Sequence, residues 1–560
     1  MSPGLAIAAV LAACAPREVD PGAQGPRPLV DLDPDPMVFE ADLRAAPARW
    51  STGAHPVDGL AYEGQVPGPL IRVPLGARVR VHFHNDLPEG MDTTIHWHGI
   101  EGNNAADGTH TTQAPVAPGA SFTYDFVVTR PGLFWYHPHV RGAKGVFEGL
   151  YGTLIVDDPD EPALRDLGVL PEAERVLVLS DVSLLGDRPW SVEVDNAMEV
   201  MNGTEGELLL VNGQERPTIE VPGAVRLRVV NTSITRFWRL SVPGHALLRV
   251  GGEGGLLDHA RVEGGPIAAT RYPEPDAPEP VELDPGFRRG ELLLGPAERA
   301  DVVLVSTGAP GDRLELRWED YARGRHGMWM EGDEMVMEDA PDDGLRPGVV
   351  VADLLLTDTA SGAPNLTEGA PVLAALGRSV GHLPDNTDTA WVGADAMVLS
   401  ERMDMVQDAD GVWQMTTDLY VDGATWRHPH GPTQDPTQDP PHTGPHTPEA
   451  PTARHARLGQ TLLWELRNES AMAHPVHLHG FSYQPLYFER HDEAGVPTRW
   501  ELGYDEMEDT TVLPGHTSLF IRMRLEDRVG DGGALGRWMR HCHIMQHGEA
   551  GMMSEFIVGP

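Results

Sequence analysis

Cysteine is nearly absent from this chain of 560 residues, which contains only Cys14 and Cys542. Two cysteines so far apart cannot form the dense disulfide framework that small secreted proteins use. The fold must therefore be stabilised by packing and hydrogen bonding. Cys14 lies in the N-terminal segment, so Cys542 is the only thiol in the part of the chain that we expect to fold.

Long apolar runs are also missing, because no segment reaches the roughly 18 uninterrupted apolar residues that a membrane helix needs. The short run from Gly4 to Ala13 ends at Cys14 and is similar to a bacterial lipoprotein signal, in which the cysteine is lipidated. We therefore expect residues 1–14 to be a lipoprotein-type signal segment. The protein would be exported, either periplasmic or anchored to the outer membrane, and would touch the membrane only through a lipid at Cys14. Because Met1 to Leu5 has no Lys or Arg, an ordinary cleaved signal and a plain tail remain alternatives.

Basic residues are scarce relative to acidic ones, with 42 Lys and Arg against 84 Asp and Glu and a net charge of −42. A polyanion of this kind is repelled by nucleic acid and by anionic lipid, so we exclude nucleic acid as a partner. The apolar content of 41% and charged content of 22% are ordinary for a soluble globular protein. We expect a monomer of several domains.

Helical periodicity is rare, and short alternating runs bounded by turn residues replace it. Examples are 78–84, 225–230 and 519–524, in which apolar and polar side chains alternate. Alternation with a period of two is typical of half-buried strands. The chain also contains 62 glycines and 50 prolines, which suit many turns. These features predict an all-β fold.

A loose internal repeat indicates three sandwich units. Turn residues lead three times into a strand, and these strands end at Asn85, Asn231 and Asn468. We predict domain 1 at residues 36–158, domain 2 at 159–355, a linker at 356–394 and domain 3 at 395–560.

Histidine is abundant, with 25 residues, and many of them occur as His-x-His pairs. Residues i and i+2 of a strand point to the same face, so each pair can direct two imidazoles at one point. Neutral imidazole is a ligand for copper, zinc, iron or nickel. The six pairs begin at His82, His96, His137, His428, His477 and His541.

Position separates the pairs that bind metal from those that do not. Pairs 96/98 and 137/139 lie in the first unit, while pairs 477/479 and 541/543 lie in the last, which predicts a site between domains 1 and 3. His82 and His84 alternate with arginines on a strand and are expected to face solvent. The proline-rich segment 428–455 is expected to be an exposed loop. Its histidines are read as plain loop residues, with weak metal scavenging as the alternative: His428, His430, His442 and His446.

The most specific motif is His541-Cys542-His543, followed by His547 and Met552. A cysteine thiolate, two histidines and a weak axial methionine make a type 1 blue-copper site, and His474 is the candidate for the second histidine. On a strand the Cys542 side chain points away from its two neighbours. Cys542 would then bind one metal while the neighbours bind others, so the backbone becomes an electron path.

These motifs resemble those of the three-domain multicopper oxidases, which include laccases, bacterial cuprous oxidases and ascorbate oxidase. The resemblance implies three consecutive cupredoxin-like Greek-key β-sandwich domains and four copper ions. It implies a type 1 copper on His474, Cys542, His547 and Met552, and a type 2 copper on His96 and His477. It implies a type 3 pair, with one ion on His98, His137 and His543 and the other on His139, His479 and His541.

The same resemblance implies the activity. One-electron oxidation of phenols or aryl amines, and possibly of Cu(I), would be coupled to four-electron reduction of O₂ to water. The exposed edge of His547 would be the electron entry, and Asp107 falls where relatives keep an acid, which we expect to relay protons. Many bacterial relatives carry an acid directly after the distal type 1 histidine, whereas this chain has Gly548 followed by Glu549.

The methionines leave a second function open. Met328, Met330, Met335 and Met337 lie close together, and a looser group comprises Met397, Met403, Met405 and Met415. Thioether sulfur suits Cu(I), but methionine also fills irregular gaps in cores. The alternative function is a periplasmic copper-tolerance protein that oxidises or sequesters Cu(I) through its Met-rich and His-rich segments.

Overall fold

The structure is a computed structural model, and a defined part of the chain is described. The described residues are 24–192, 197–268, 282–283, 286–324, 326–331, 334–339, 345–360, 364, 366–384, 389–407, 413–425, 450–491, 496–503 and 506–560. Cys14 and the four loop histidines of 428–446 lie outside these ranges, so the predictions about them stay predictions. Among the described residues, no helix has both the length and the apolar character needed to cross a membrane.

The first unit is a sandwich of two four-stranded sheets. Its sheets have the strand orders β2-β1-β4-β6 and β3-β8-β7-β5. A short helix, α1 (Gly142–Glu148), precedes the last strand. The strands are β1 (Val38–Ser51), β2 (Pro56–Tyr62), β3 (Ile71–Pro74), β4 (Arg78–Asn85), β5 (His96–His98), β6 (Ser121–Val127), β7 (Gly132–His137) and β8 (Gly152–Asp157).

The second unit has a six-stranded sheet, β12-β9-β14-β21-β16-β17, and a five-stranded sheet, β13-β25-β22-β15-β20. Helix α2 (Glu161–Asp166) precedes it, and helix α3 (Ala197–Asn202) lies within it. Its strands are β9 (Glu174–Val182), β10 (Leu184–Leu185), β11 (Arg188–Pro189), β12 (Leu208–Val211), β13 (Thr218–Val221), β14 (Ala224–Asn231), β15 (Trp238–Ser241), β16 (Leu248–Gly252), β17 (Gly255–Val262), β18 (Ile267–Ala268), β19 (Glu282–Leu283), β20 (Leu292–Leu294), β21 (Arg299–Val305), β22 (Arg313–Glu319), β23 (His326–Glu331), β24 (Glu334–Asp339) and β25 (Val349–Leu356).

The third unit repeats the design with a seven-stranded sheet, β28-β27-β30-β35-β32-β33 with β26 beside β30, and a five-stranded sheet, β29-β37-β36-β31-β34. Helix α4 (Met545–Ala550) precedes the last strand. The strands are β26 (Thr389–Trp391), β27 (Met397–Gln407), β28 (Trp413–Val421), β29 (Arg454–Arg457), β30 (Thr461–Asn468), β31 (His474–Leu478), β32 (Tyr483–His491), β33 (Pro497–Glu501), β34 (Thr510–Leu513), β35 (Thr517–Arg524), β36 (Gly536–Cys542) and β37 (Met553–Gly559).

The three units share one topology. A parallel pair lies inside the first sheet of each unit, as β1 with β4, β9 with β14 and β27 with β30. A second parallel pair lies in the other sheet, as β3 with β8, β13 with β25 and β29 with β37. Burial alternates along β4, where apolar residues point inward. The predicted all-β fold of three sandwich units is confirmed.

One asparagine per unit carries the repeat seen in the sequence. Asn85, Asn231 and Asn468 end equivalent strands, and each Nδ2 donates to at least two backbone carbonyls of later residues at 2.7–3.1 Å. Each Oδ1 accepts the backbone N–H two residues further on, at 2.9–3.0 Å. These bonds pin the loop that follows the strand. In units one and three that loop leads into β5 and β31, which carry histidine pairs.

The first and third units are joined where these strands end. The backbone N–H of Gly102 donates to the carbonyl of Gly480 at 3.0 Å, and that of Ser482 donates to the Glu101 carboxylate at 3.1 Å. The side chain of Asn104 donates to the Arg537 carbonyl at 2.5 Å. Residues from the two ends of the chain therefore face one another across a short, hydrogen-bonded seam.

The methionines of the two groups lie in two hairpins, except Met397, which lies in the core of the third unit. Met328 pairs with Met337 and Met330 with Met335 across β23 and β24, but only the backbone of these strands lies within the described structure. The same holds for Met403, Met405 and Met415 in the hairpin of β27 and β28. Met397 is fully buried in the core of the third unit. A role in Cu(I) binding stays a prediction for the hairpins, while Met397 fills the core.

Candidate metal centre

Four strands present the histidine pairs, and ladder pairing brings them together two by two. In unit one His96 lies opposite His137 across β5 and β7. In unit three His477 lies opposite His541 across β31 and β36. Residues opposite each other in an antiparallel ladder have side chains on the same face. Each sheet therefore directs its imidazoles toward the seam between the units.

Eight histidines from both units form three clusters at this seam. In each cluster, one possible ligand atom per residue lies within 4.8 Å of the others. Each cluster combines residues that lie about 400 positions apart in the sequence. The clusters are His96 with His98 and His477, His98 with His137 and His543, and His139 with His479 and His541. The second and third clusters have the membership of the two implied type 3 ligand sets, and the first contains the implied type 2 pair, His96 and His477, with His98 shared with the second cluster.

The rings are held by one nitrogen while the other faces the seam. The Nδ1 atoms of His96, His137 and His477 lie 2.7–2.9 Å from backbone carbonyls, to which they donate. His98 is reversed, since its Nε2 donates to Asp509 Oδ1 at 2.9 Å. Among described residues, the opposite nitrogen of each of these four rings has no hydrogen-bond partner. Anchoring one nitrogen so that the other can coordinate is typical of metal-binding histidines.

Burial also sets the protonation state of these rings. It lowers the pKa of His541 to about 3. It lowers the pKa of six further members as well, with neighbouring imidazoles adding to the effect: His98, His137, His139, His477, His479 and His543. These seven imidazoles are therefore neutral, which is the form that binds a metal ion. The donor set and its unpartnered nitrogens fit a group of three copper ions.

Asp107 lies behind two of the clusters. Its carboxylate accepts the Nδ1–H of His479 at 3.0 and 3.2 Å, and its backbone carbonyl accepts that of His96 at 2.7 Å. The next residue, Gly108, has φ +76°, and a Cβ there would lie 1.8 Å from the Ile95 carbonyl oxygen. Only glycine allows the chain to turn this closely against β5. Asp107 therefore positions two candidate ligands, while its predicted proton relay stays a prediction.

A fourth cluster surrounds the thiol. Cys542 Sγ lies 3.4 Å from His474 Nδ1 and 3.7 Å from His547 Nδ1, and the two Nδ1 atoms are 3.3 Å apart. His474 is held from behind by the Ser470 hydroxyl at 2.8 Å from Nε2. Met552 is buried beside them, and its carbonyl accepts the backbone N–H of Cys542 at 3.1 Å. Three of the four predicted type 1 ligands, His474, Cys542 and His547, thus lie together, while coordination by the Met552 sulfur stays a prediction.

The Cys542 side chain is better suited to binding a metal ion than to packing in a core without one. Burial raises the pKa of Cys542, so the free side chain is a neutral thiol. A bound cation would reverse this, because a coordinating thiol is deprotonated. Two unprotonated imidazole nitrogens facing one sulfur form the trigonal donor set of a blue-copper site.

One strand end connects the two centres. His541 belongs to the third histidine cluster and His543 to the second, and Cys542 between them points to the thiol cluster. The Nδ1–H of His541 donates to the Cys542 carbonyl at 2.9 Å. An electron on the sulfur is therefore a few covalent bonds from either histidine cluster.

The prediction that the edge of His547 is exposed is wrong. His547 is 0% exposed, because helix α3 lies over it. Its Nε2–H donates to the carbonyl of Met201 at 3.1 Å. Helix α3 is held in turn by Arg323, which donates to the Asn202 carbonyl at 2.5 Å. The segment that covers the ring comes from unit two, so no local pattern near His547 could have revealed it.

Several functional residues escape sequence reasoning. Asp509 holds His98, and it receives two bonds from the Arg299 guanidinium at 2.7 and 2.6 Å. Burial alone would raise the pKa of Asp509, yet Arg299 holds it well below its usual range. The Thr510 hydroxyl lies 3.0 Å from His98 Nε2 and 3.1 Å from His477 Nδ1. In a chain with 84 acids, nothing local distinguishes Asp509 from the others.

Other predicted residues lie apart from the clusters. His82 and His84 are partly exposed on β4, where their Nε2 atoms pair with Glu40 and Asp42 at 2.8 Å. Glu549 caps the start of α1, since its carboxylate accepts the backbone N–H of Ala143 at 2.9 Å.

Comparisons with known proteins agree with this arrangement. A family model described as multicopper oxidase matches residues 46–161, and a second model with the same description matches residues 413–560. The multicopper oxidase MmcO of Mycobacterium tuberculosis is 26% identical over 591 residues, covering 98% of this chain and 94% of that protein. Laccase-1 of Fomitopsis schrenkii is 33% identical over 231 residues, which is 39% of this chain and 41% of that protein.

Solved structures share the fold over almost the whole length. A multicopper oxidase from Campylobacter jejuni, described as a metallo-oxidase, has a TM-score of 0.68 at 22% identity and covers 96% of this chain and 97% of its own. A multicopper oxidase from Pseudomonas thermotolerans has a TM-score of 0.61 at 25% identity and covers 93% and 99%. The cupredoxin-like fold implied by the sequence is confirmed.

The thiol cluster and the histidine clusters should lose metal independently. We expect Cys542→Ser to remove one of four copper ions and the intense visible absorption of the copper–thiolate bond, because serine oxygen is a poor ligand for that site. The three remaining ions should stay, since their histidines keep their hydrogen bonds. Metal analysis and absorption spectra measure both effects. Loss of all copper from a folded variant would contradict two separable centres.

Asp107 should contribute to metal affinity through His479. We expect Asp107→Ala to weaken copper binding at the histidine clusters by about 10–100-fold, as is typical when a hydrogen-bond partner of a ligand is removed. Asp107→Asn should bind nearly normally, because its amide oxygen can still accept from His479 Nδ1–H. Titration with a competing chelator measures the difference. Equal affinity in the alanine variant would show that the carboxylate does not position the ligand.

Proposed function

The chain belongs to the multicopper oxidase family, and we propose from this premise that it oxidises small one-electron donors at the thiol centre and reduces O₂ to water at the histidine clusters. The donors are phenols, aryl amines or Cu(I). Four electrons and four protons convert one O₂ to two water molecules. A donor that gives one electron at a time therefore requires a protein that stores several.

The observation that carries this proposal is the placement of Cys542. Its side chain faces His474 and His547, while its two chain neighbours belong to two different histidine clusters. A binding protein that only sequestered metal would need no such link between sites. The arrangement is suited to moving electrons from one centre to another.

Each part of the protein has a separable task in the reaction. Bound copper ions supply the electron storage and the binding of O₂. The chain brings eight imidazoles together and buries the site so that O₂ chemistry is shielded from bulk water. Asp107 and Asp509 accept hydrogen bonds from His479 and His98, which fixes the direction in which those rings coordinate.

Electrons must reach His547 through helix α3. A flat donor cannot stack on the imidazole, because Met201 and Val200 are buried against the site and the Met201 carbonyl occupies its Nε2–H. The Gln546 side chain further ties the segment down by accepting the Thr204 backbone N–H at 2.5 Å. Helix α3 hinders the approach of a small donor less than that of a bulky one. This cover is the specific reason to propose Cu(I) as well as phenols as substrates.

The function is tested by counting donors against O₂. With copper-loaded protein we expect four donor molecules oxidised for each O₂ consumed, without accumulation of hydrogen peroxide, for either a simple phenol or Cu(I). Cys542→Ser should abolish donor oxidation because the link from the donor side is lost. A wild-type protein that binds four copper ions and consumes no O₂ with either donor would contradict the proposal and favour copper sequestration instead.

The cover over His547 should select between donors. We expect Val200→Ala combined with Met201→Ala to loosen α3 and raise kcat/KM for a bulky phenol several-fold relative to Cu(I). Truncating these two side chains removes the apolar contacts that seat the helix. Leu185→Ala, which shortens an exposed side chain outside α3, is the control and should leave kcat/KM unchanged for both donors. Equal changes for both donors would show that α3 does not select by size.

A further inference from the structure

A chamber of about 500 Å³ lies between units two and three, behind the histidine clusters. Its walls include the carboxyl groups of Glu253, Glu298 and Glu508 and the hydroxyl groups of Thr510 and Thr511. Arg289 at its rim has a side chain that is 61% exposed, so the chamber reaches solvent. A space of this size with this many polar groups holds water.

The inner end of the chamber touches the backs of two candidate copper ligands. Thr510 Oγ1 lies 3.0 Å from His98 Nε2, 3.1 Å from His477 Nδ1 and 2.9 Å from Asp509 Oδ1. Glu253 is placed directly beside it, because its carboxylate accepts the backbone N–H groups of Asp509 and Thr510 at 2.7 and 2.8 Å. The chamber thus runs from solvent to the ligand pair that combines units one and three.

Two of its acids, Glu298 and Glu508, are fixed by neutral donors rather than by arginines of their own. Glu298 accepts the backbone N–H groups of Gly295 and Val512 at 2.7 and 2.9 Å. Glu508 accepts the hydroxyl of Thr511, which lies 2.8 Å from the Tyr483 hydroxyl. Such surroundings accommodate a carboxylic acid in either protonation state, unlike an ion pair.

We propose that this chamber is the proton reservoir for O₂ reduction, with Glu298 and Glu508 as its proton-storing residues and Thr510 as the hydroxyl at its inner end. The inference rests on the proposed function, since only O₂ reduction consumes protons there. For each O₂, four protons and four electrons yield two water molecules. Each acid releases a proton to chamber water, becomes a carboxylate, and regains a proton from bulk water through the rim.

The acidities of these groups agree with that role. Burial raises the pKa of Glu298 to about 7, and burial together with Glu506 raises that of Glu508 to about 8. A proton donor is most effective when its pKa lies near the working pH. By contrast, Glu263 in the same wall is paired with Arg249 and Arg261, which against the effect of burial lower its pKa to about 2.

The charges around the two acids come from several elements. Arg299 cannot neutralise both Asp509 and Glu253, so burial and Asp509 raise the pKa of Glu253. Arg249 favours the ionised forms of Glu298 and Glu508, whereas the neighbouring acids oppose ionisation. The charged and titratable groups facing the chamber acids are Arg249, Arg261, Arg289, Arg299, Arg490, Tyr321, Tyr483, Glu253, Glu263, Glu506 and Asp509.

The test follows reoxidation of the fully reduced, copper-loaded protein by O₂ across a range of pH. In the wild type the rate should fall as the pH rises through about 7 to 8, because the two acids then lose their protons. Glu298→Gln and Glu508→Gln should each slow reoxidation and flatten that decline. The double variant should be slower by about 100-fold, the lower end of what a positioned proton donor contributes.

Controls separate proton storage from structure. Glu263→Gln removes a buried acid that holds no proton at neutral pH, so the rate at low pH should stay unchanged; the decline should only move to lower pH, because the Glu263 carboxylate raises the pKa of Glu298. Glu508→Asp should restore part of the rate because it restores an acid. Copper content and the unfolding temperature identify any variant that fails to fold, in which case Glu298→Gln carries the test.

Two results would overturn the proposal that the chamber stores protons. One is an unchanged rate and pH profile in the folded double variant. The other is a loss of the pH decline in Glu549→Gln but not in Glu508→Gln, which would place proton supply on the α1 side. Failure of the proposed function looks different, because the reduced wild-type protein itself would then not react with O₂.

Discussion

Neutral imidazole, buried and held by one nitrogen, is the interaction on which this molecule depends. Eight imidazole rings are brought together from two sandwich units, and six of them have a partner behind them that fixes which nitrogen faces the metal. Backbone carbonyls serve His96, His137 and His477, while carboxylates serve His98 and His479. Removing water raises the cost of any charge at the seam, so the acids behind these rings must themselves be held in place.

That requirement explains the role of the middle unit. None of the ligands in the four clusters comes from it, yet its Arg299 keeps Asp509 ionised and its Glu253 accepts the backbone N–H groups of residues 509 and 510. Its helix α3 covers His547 on the donor side. Unit two therefore covers the thiol centre and forms much of the wall of the chamber behind the histidine clusters.

The two sides of the molecule consequently have opposite physical character. On the donor side a short helix with buried Val200 and Met201 excludes bulky molecules from the thiol centre. On the other side, acids fixed by backbone N–H groups and hydroxyls line a chamber open to solvent. Electrons and protons can thus approach the site of O₂ reduction from separate directions, which prevents one path from obstructing the other.

The sequence by itself determined the parts whose chemistry is local. Period-two alternation predicted the strands, the repeated asparagines predicted three units, and the spacing around Cys542 predicted two linked metal centres, because residues i and i+2 must share a face. Only the tertiary structure decided what covers His547, which acid holds His98 and where the chamber lies. Those features join Met201, Arg299 and Asp509 across units, and contacts between residues hundreds of positions apart leave no periodic signal in the chain.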